Sequence, residues 1–165
     1  MPQLTASLEH AERMATLPKT DQNNPPVPAR ISAEKEHIGA SSGKRSIALQ
    51  FVVDSGDYIG RELPGYGQWT YIPAEGDYLA KLFETINALK SEWTCSNCST
   101  TSTDNFLKEK VKGAYHFLCP HCSRRADVKL DGSWVGKECR LRLGIEKMDG
   151  SDNERNTIAA VLPRD

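Results

Sequence analysis

Four of the five cysteines in the chain form two Cys-x-x-Cys knuckles, Cys95-Ser96-Asn97-Cys98 and Cys119-Pro120-His121-Cys122. Each two-residue gap lets a tight turn direct both sulfur atoms at one point, and the 20 residues between the knuckles can supply strands that bring the turns together. Four thiolates select a tetrahedral Zn²⁺ over a hard cation, and iron is the alternative. The spacing therefore predicts one zinc ion per chain, bound by Cys95, Cys98, Cys119 and Cys122.

Three further residues near these knuckles carry chemistry. His116 and His121 flank the second knuckle, and either could replace a thiolate in a mixed site. With four cysteines already at ligand spacing, we expect both histidines to lie beside the site without binding the ion. Cys139 falls on the apolar face of a predicted strand, which favours a small buried residue over a fifth ligand or a redox partner.

The second knuckle also resembles the active-site motif of thiol oxidases of the thioredoxin fold. That fold requires a helix directly after the motif, whereas residues 123–132 have the pattern of a short strand that runs into an Asp-Gly turn. A four-cysteine zinc site has no open position for substrate, and the sequence contains no nucleophile-elbow, phosphate-loop or His-Glu-x-x-His motif. We therefore predict that the protein is not an enzyme, with a thiol oxidoreductase that uses Cys119 and Cys122 as the alternative.

The elements that must position the cysteines begin after a polar N-terminal segment. Residues 1–45 are predicted to form a disordered tail or linker, because the proline- and asparagine-rich stretch at 20–28 cannot continue a helix or a central strand. Within this segment Leu4, Leu8, Ala11 and Ala15 recur at helical spacing. That pattern would suit a short amphipathic helix that folds on a partner, but a nascent helix in a disordered tail is favoured because so short a segment is marginal alone.

Residues 46–92 are predicted to form a β-hairpin followed by a helix. The β-prone stretch 46–53 precedes a strong turn at 54–57, and Tyr58-Ile59 would begin the second strand. The helix is indicated by an apolar stripe of Leu79, Leu82, Phe83, Ile86 and Leu89.

Residues 93–148 are predicted to form a four-cysteine zinc ribbon, and residues 149–165 a C-terminal extension. In the ribbon's last strand, alternate residues would share one face: Val135, Lys137, Cys139, Leu141, Leu143 and Ile145. In the extension, the apolar run 158–162 could add an edge strand or an anchor. The predicted fold class is thus α+β, a small antiparallel sheet with one packed helix followed by the zinc ribbon.

Charge is distributed unevenly although the 165-residue chain is nearly neutral, with 21 Lys+Arg against 22 Asp+Glu. Between residues 106 and 147 there are ten basic residues against five acidic ones, interleaved with aromatic side chains. Such a surface can contact phosphates and stack on unpaired bases, and a solvated charged face above core aromatic residues is the equal alternative. The predicted nucleic-acid contacts are Lys108, Lys110, Lys112, Arg124, Arg125 and Lys129. Residues 54–92 instead carry an acidic excess, which suits a protein partner.

The sequence contains no apolar run of membrane-spanning length, and its first residues lack the basic-then-apolar pattern of a secretory signal. An odd number of cysteines in paired knuckles is typical of a reducing compartment. We therefore expect no membrane association and a cytoplasmic or nucleocytoplasmic protein.

Residues 93–145 resemble the zinc-ribbon class of small metal-binding modules. The resemblance implies a β-ribbon clamped by the four cysteines, and a role in binding nucleic acid or in docking to a larger machine. Trp93-Thr94-Cys95, together with Tyr115-His116-Phe117 ahead of Cys119, is similar to the arrangement in small zinc-binding silencing suppressors of plant sobemoviruses. The favoured function is regulatory nucleic-acid binding, as in a transcription regulator or a viral-type RNA silencing suppressor. The alternative is a protein assembly or adaptor component with a purely structural zinc.

Overall fold

The protein is built mainly from antiparallel β-strands. A computed structural model describes residues 16–76, 79–147 and 154–164, which contain eleven strands and one helix. The strands are β1 (Val27–Ile38), β2 (Arg45–Val53), β3 (Glu62–Leu63), β4 (Thr70–Pro73), β5 (Trp93–Cys95), β6 (Thr101–Ser102), β7 (Leu107–Val111), β8 (Ala114–Leu118), β9 (Val128–Leu130), β10 (Glu138–Lys147) and β11 (Glu154–Leu162), and the helix α1 is Ala80–Leu89. The predicted antiparallel sheet with one helix is present, although strands dominate so strongly that the α+β class fits only loosely.

The largest sheet has six strands in the order β11-β10-β1-β2, with both β3 and β4 paired to β2. Its centre is the β1–β2 pair, which runs from Ala29↔Val53 to Ile38↔Arg45 with one bulge after Ile31. The alternate residues Ala29 and Ile31 are buried on the core side of β1. This sheet carries most of the hydrophobic core.

The predicted disordered tail over residues 1–45 is wrong for residues 27–38, which form β1 between β2 and β10. Pro28 is the second residue of this strand and lies opposite Arg140 of β10, where a missing backbone N–H near a strand end is tolerated. Leu17 lies farther upstream and is also buried. The amphipathic helix predicted over residues 4–15 lies outside the described residues.

The second strand of the predicted hairpin begins later than expected. Residues 55–60 form turns in place of a strand at Tyr58-Ile59, and β3 follows at Glu62–Leu63. Gly60, at φ 89°, donates its N–H to the Val53 carbonyl, and Val53 donates in return to Arg61. Closure at a left-handed glycine makes a wider loop than the Asp-Ser-Gly-Asp turn predicts.

Helix α1 lies where the apolar stripe predicts it. Leu82, Phe83, Ile86 and Leu89 are buried in the core, and the helix contacts β4, β10 and β11. It ends at Lys90, which is left-handed at φ 51° and donates its N–H to the Asn87 carbonyl. Within the described ranges no helix is long and apolar enough to cross a membrane.

The four cysteines of the two knuckles lie in a separate pair of small sheets formed by residues 93–130, called the cysteine module below. One sheet has the order β6-β5-β9, and the other is the β7–β8 hairpin. The predicted ribbon boundary of 93–148 is too long, because β10 belongs to the six-stranded sheet. The module is therefore inserted between two parts of that sheet.

Strand β10 shows part of the predicted alternation. Cys139, Leu141 and Leu143 are buried, whereas Val135 precedes the strand and is 50% exposed, and Ile145 is 40% exposed. The predicted edge strand in the C-terminal extension is confirmed: β11 begins at Glu154 and forms an edge of the sheet beside β10.

Candidate metal centre and its surroundings

The two knuckles of the cysteine module have the same local structure. In each, the residue after the second cysteine is left-handed, Ser99 at φ 61° and Ser123 at φ 58°. Each of these serines donates its N–H to the carbonyl of the first cysteine at 2.9 Å. Two equivalent turns thus present two pairs of sulfur atoms to each other.

The four sulfur atoms form one group whose members all lie within 4.8 Å of one another. The Sγ atoms of Cys95 and Cys122 are 3.9 Å apart, and those of Cys98 and Cys119 are 3.8 Å apart. A tetrahedral ion with metal–sulfur bonds of about 2.3 Å has sulfur–sulfur edges of about 3.8 Å. A disulfide needs about 2.05 Å, so the arrangement is that of four free thiols around a position that could hold a metal ion.

Hydrogen bonds to sulfur prepare the group for negative charge. The backbone N–H groups of Asn97 and His121 each lie 3.4 Å from the Sγ of the first cysteine of their knuckle. The Asn97 side-chain amide donates across to Cys122 at 3.4 Å and lowers the pKa of that thiol. Donors to sulfur favour the thiolate, which is the form that binds a metal ion.

The thiols of Cys98 and Cys119 lie 3.8 Å apart, and their pKa values are shifted in opposite directions. Hydrogen bonding with the hydroxyl and the backbone of Thr100 lowers the pKa of Cys98 to about 6. Burial raises the pKa of Cys119 to about 11. Without a cation a fully ionised group of four is opposed by burial, so a bound positive ion is needed to hold four thiolates.

An aromatic cluster behind the cysteines fixes the module on α1. Trp93 is fully buried and lies two residues before Cys95 in β5. The centroid of its ring lies 5.2 Å from that of Phe117 and 6.0 Å from that of Phe106. Phe106 in turn packs edge-on against Phe83 of α1 at 5.2 Å. Phe117, one of the aromatic residues that could have stacked on bases, is therefore a core residue, as is Phe106.

The histidines and the fifth cysteine lie outside the sulfur group, as expected. His121 places Nε2 3.6 Å from an Asp104 carboxylate oxygen, and His116 lines a cleft on another side of the module. Cys139 is buried in β10, and burial raises the pKa of its thiol to about 12. A protonated, buried thiol packs as a small apolar side chain.

Three of the predicted nucleic-acid contacts lie together on the β7–β8 hairpin. The Nζ atoms of Lys108 and Lys110 lie 5.7 and 5.5 Å from the ring centroid of Tyr115 on the facing strand. Lys112 occupies the turn with Gly113, both at positive φ, which produces a tight two-residue turn. The hairpin thus carries Lys108 and Lys110 near one partly exposed tyrosine and Lys112 in its turn, and the Lys108 ammonium also lies 3.9 Å from a Glu84 carboxylate oxygen.

The other three predicted contacts are placed differently. Arg125 makes two hydrogen bonds to Glu109, at 3.0 and 3.2 Å, so its charge is largely compensated. Arg124 is exposed beside it, directly after the second knuckle. Lys129 is on β9 and lines the cleft. The structure therefore does not bring all six predicted residues into one surface patch.

The cleft is the feature that sequence analysis missed. It has a volume of about 1040 Å³ and separates the cysteine module from the ends of β1, β2 and β4. Glu34 of β1 lines the cleft, and its carboxylate accepts hydrogen bonds from the Ser133 hydroxyl at 2.5 Å and from the Trp134 N–H at 2.9 Å. No local pattern predicts this cleft, because its walls come from segments about 90 residues apart.

Comparisons of the chain with protein-family models, with curated proteins and with solved structures find no match.

Proposed function

We propose that the cysteine module is a zinc ribbon that holds one Zn²⁺ through Cys95, Cys98, Cys119 and Cys122. The sulfur–sulfur distances of 3.8 and 3.9 Å support this proposal, because they match the edges of a zinc–thiolate tetrahedron. A site with four protein ligands leaves no position for water or substrate. The ion therefore acts as a structural element in a protein that is not an enzyme.

The zinc would connect short strands whose other support is the aromatic cluster of Trp93, Phe106 and Phe117. Strands β5, β6 and β9 contain only two or three residues each, and the β7–β8 hairpin has five residues in each strand. Sheets of that size bury too little apolar surface to be stable alone. A structural zinc site contributes on the order of 10 kcal/mol to such modules, which is enough to order both knuckles and the hairpin between them.

We infer that the zinc-stabilised hairpin binds single-stranded nucleic acid in a regulatory role. The observation that carries this inference is the placement of Lys108 and Lys110 within 5.7 Å of the Tyr115 ring. Ammonium groups contact phosphates, and an aromatic ring flanked by them offers a surface on which an unpaired base stacks. Three lysines predict a modest, sequence-tolerant affinity that depends strongly on salt.

Fluorescence anisotropy with labelled single-stranded RNA and DNA of about 20 nucleotides tests the inference. At low salt the wild type should bind, and log K should fall with log salt at a slope of about −2 if three phosphates are neutralised, at about −0.7 each. The double variant Lys108→Gln/Lys110→Gln should bind more weakly and with a shallower slope. The charge-matched control Lys19→Gln/Lys147→Gln removes two exposed lysines outside the module and should bind like the wild type.

Zinc content must be measured in each variant, so that a lost fold is separated from lost contacts. If the wild type binds neither RNA nor DNA at low salt while its zinc is intact, nucleic-acid binding is wrong. The protein assembly or adaptor role then becomes the better proposal, with zinc serving only to hold the ribbon.

A further inference from the structure

The cleft between the cysteine module and the six-stranded sheet is bordered by two strand edges that have no neighbouring strand among the described residues. At one side is β9, an edge strand of the three-stranded sheet β6-β5-β9. At the other is the second half of β1, because β10 pairs with β1 only as far as Arg30. Residues of both edges line the cleft, and both edges therefore offer backbone groups to it.

The direction of the β9 backbone follows from its hydrogen bonds to β5. Asp127 accepts from Ser96, and Asp131 donates to Glu92, so alternate residues of this segment face β5. In an antiparallel strand the intervening residues, Val128 and Leu130, point their N–H and C=O groups the other way. Neither residue's backbone has a partner within the described chain, and both residues line the cleft.

The direction of the β1 backbone groups also follows from their hydrogen bonds. Ile31 faces away from β2, because it donates to the Lys137 carbonyl and accepts from Gly136. After the bulge, Gly39 faces β2 through its bond to Lys44, so Glu34 and Glu36 face outward. The backbone groups of Glu34 and Glu36 likewise have no partner among the described residues, and both residues line the cleft.

The remaining surface of the cleft is partly apolar and carries an excess of negative charge. Most of the partly buried hydrophobic residues that pack on the core line it: Ile47, Leu79, Tyr115, Ala126, Val128 and Leu130. Arg45 is paired with Glu75 at 3.2 Å, and the Lys35 ammonium lies over Trp69. Among the described residues of the cleft, the charges without an ion pair are three carboxylates, of Glu34, Glu36 and Asp127, against two ammonium groups, of Lys35 and Lys129, an excess of one negative charge.

We propose that this cleft binds an extended peptide segment of a partner protein, which adds a strand to β1 or β9. Outward backbone groups at alternate residues recognise the main chain of an extended peptide, and the apolar surface accepts alternate side chains. The uncompensated carboxylates favour a segment that carries Lys or Arg. The occupant is thus a β-strand with alternating apolar residues and at least one basic residue.

This surface is distinct from the nucleic-acid contact proposed for Lys108, Lys110 and Lys112. Of those three lysines none lines the cleft, although Tyr115 borders both surfaces. A peptide in the cleft would therefore leave the lysines accessible while covering one side of the tyrosine. Peptide binding and nucleic-acid binding can be tested separately with different variants.

The test begins with a phage-displayed library of linear heptapeptides panned on the full-length chain, purified with zinc and a thiol reductant. We expect enriched peptides with alternating apolar residues and a Lys or Arg, which bind the free protein in solution. Methylation of the backbone nitrogens of alternate residues in one register should abolish binding, whereas methylation in the other register should have little effect. Only main-chain pairing at a strand edge distinguishes peptides with identical side chains in this way.

Variants of Glu36 locate the site. Glu36→Pro removes an N–H that points into the cleft without removing a bond to β2, and Pro is tolerated at such edge positions. It should weaken peptide binding about tenfold or more, equivalent to one net hydrogen bond and a charge. Glu36→Gln should weaken only peptides that carry Lys or Arg. The control Glu62→Gln, on β3 away from this cleft, should change nothing.

Three results would overturn the proposal. The first is a library that yields no binder with a Kd below about 100 μM, a weak affinity for any specific site. The second is a cleft that binds only a small apolar dye such as 8-anilinonaphthalene-1-sulfonate, with no peptide competing. The third is concentration-dependent dimerisation in analytical ultracentrifugation that Glu36→Pro prevents, which would make a second copy of this chain the occupant.

Discussion

The side chain of Asn156 binds the backbone of Leu17 in both directions. Its Oδ1 accepts the Leu17 N–H at 2.8 Å, and its Nδ2 donates to the Leu17 carbonyl at 2.9 Å and to the Gly144 carbonyl at 3.2 Å. Both residues are buried, at 2% exposure each. One amide on the edge strand β11 thus fixes a segment 139 residues away in sequence.

Replacement of this amide should release the segment around Leu17. Asn156→Leu leaves a buried N–H and carbonyl without partners, so we expect a loss of about 3 kcal/mol in the free energy of unfolding. Urea denaturation of the wild type and the variant measures this loss. Asn105→Ala changes an exposed asparagine and should be neutral. Equal stability of the Asn156→Leu protein and the wild type would show that the two hydrogen bonds contribute nothing.

Metal binding should depend on the four cysteines of the module and should not require Cys139. Purified protein is expected to contain one zinc ion per chain, and Cys119→Ser should lose it together with the fold of the module. Cys139→Ala is the matched control: it should retain the zinc, with a lower stability from the cavity left in β10. Elemental analysis under reducing conditions checks both outcomes, and protein without stoichiometric metal would contradict the zinc-ribbon proposal.

The ion pair between Arg125 and Glu109 should restrain nucleic-acid binding. Glu109→Gln removes the carboxylate that compensates the guanidinium, so the variant is expected to bind single-stranded RNA more tightly than the wild type. The slope of log K against log salt should steepen by about 0.7, the value for one additional phosphate. Arg125→Gln in the Glu109→Gln background should reverse the gain. An unchanged slope would place Arg125 outside the contact surface.

The same pair predicts a pH effect with a definite sign. The hydrogen bonds from Arg125 lower the pKa of Glu109 below its ordinary value of 4.5. The pair therefore stabilises the fold fully above the unfolded-state pKa, and this stabilisation is lost as the pH falls through the lowered folded-state pKa. Titration of the Glu109 carboxyl by NMR should show its pKa rising toward the ordinary value in Arg125→Gln. A carboxyl that titrates identically in both proteins would show that the pair does not persist in solution.

Sequence predicts the cysteine group and α1 well because both depend on local spacing. The Cys-x-x-Cys gaps determine the two turns, and the apolar stripe from Leu82 to Leu89 determines the buried face of the helix. The approach of the four sulfur atoms to within 4.8 Å of one another also agrees with the paired spacing, which is typical of a shared metal site.

Sequence fails for β1 and for the cleft because both depend on distant segments. β1 has a polar second half with Glu34 and Glu36, since one of its edges is free, and its second residue is Pro28. Those residues weaken every local strand signal, and the strand is specified instead by β2 and by β10, which is more than 100 residues away. The Asn156–Leu17 anchor has the same non-local origin.

The insertion of the cysteine module between β4 and β10 constrains the order of events during synthesis. β1 emerges from the ribosome about 110 residues before β10, and until then only β2 is available to pair with it. Closing so long a loop is slow in an unstructured chain. Zinc captured by the nascent knuckles would shorten the flexible part of that loop before β10 is made. Supply of the metal during translation, rather than after it, should therefore govern how much of the chain reaches the folded state.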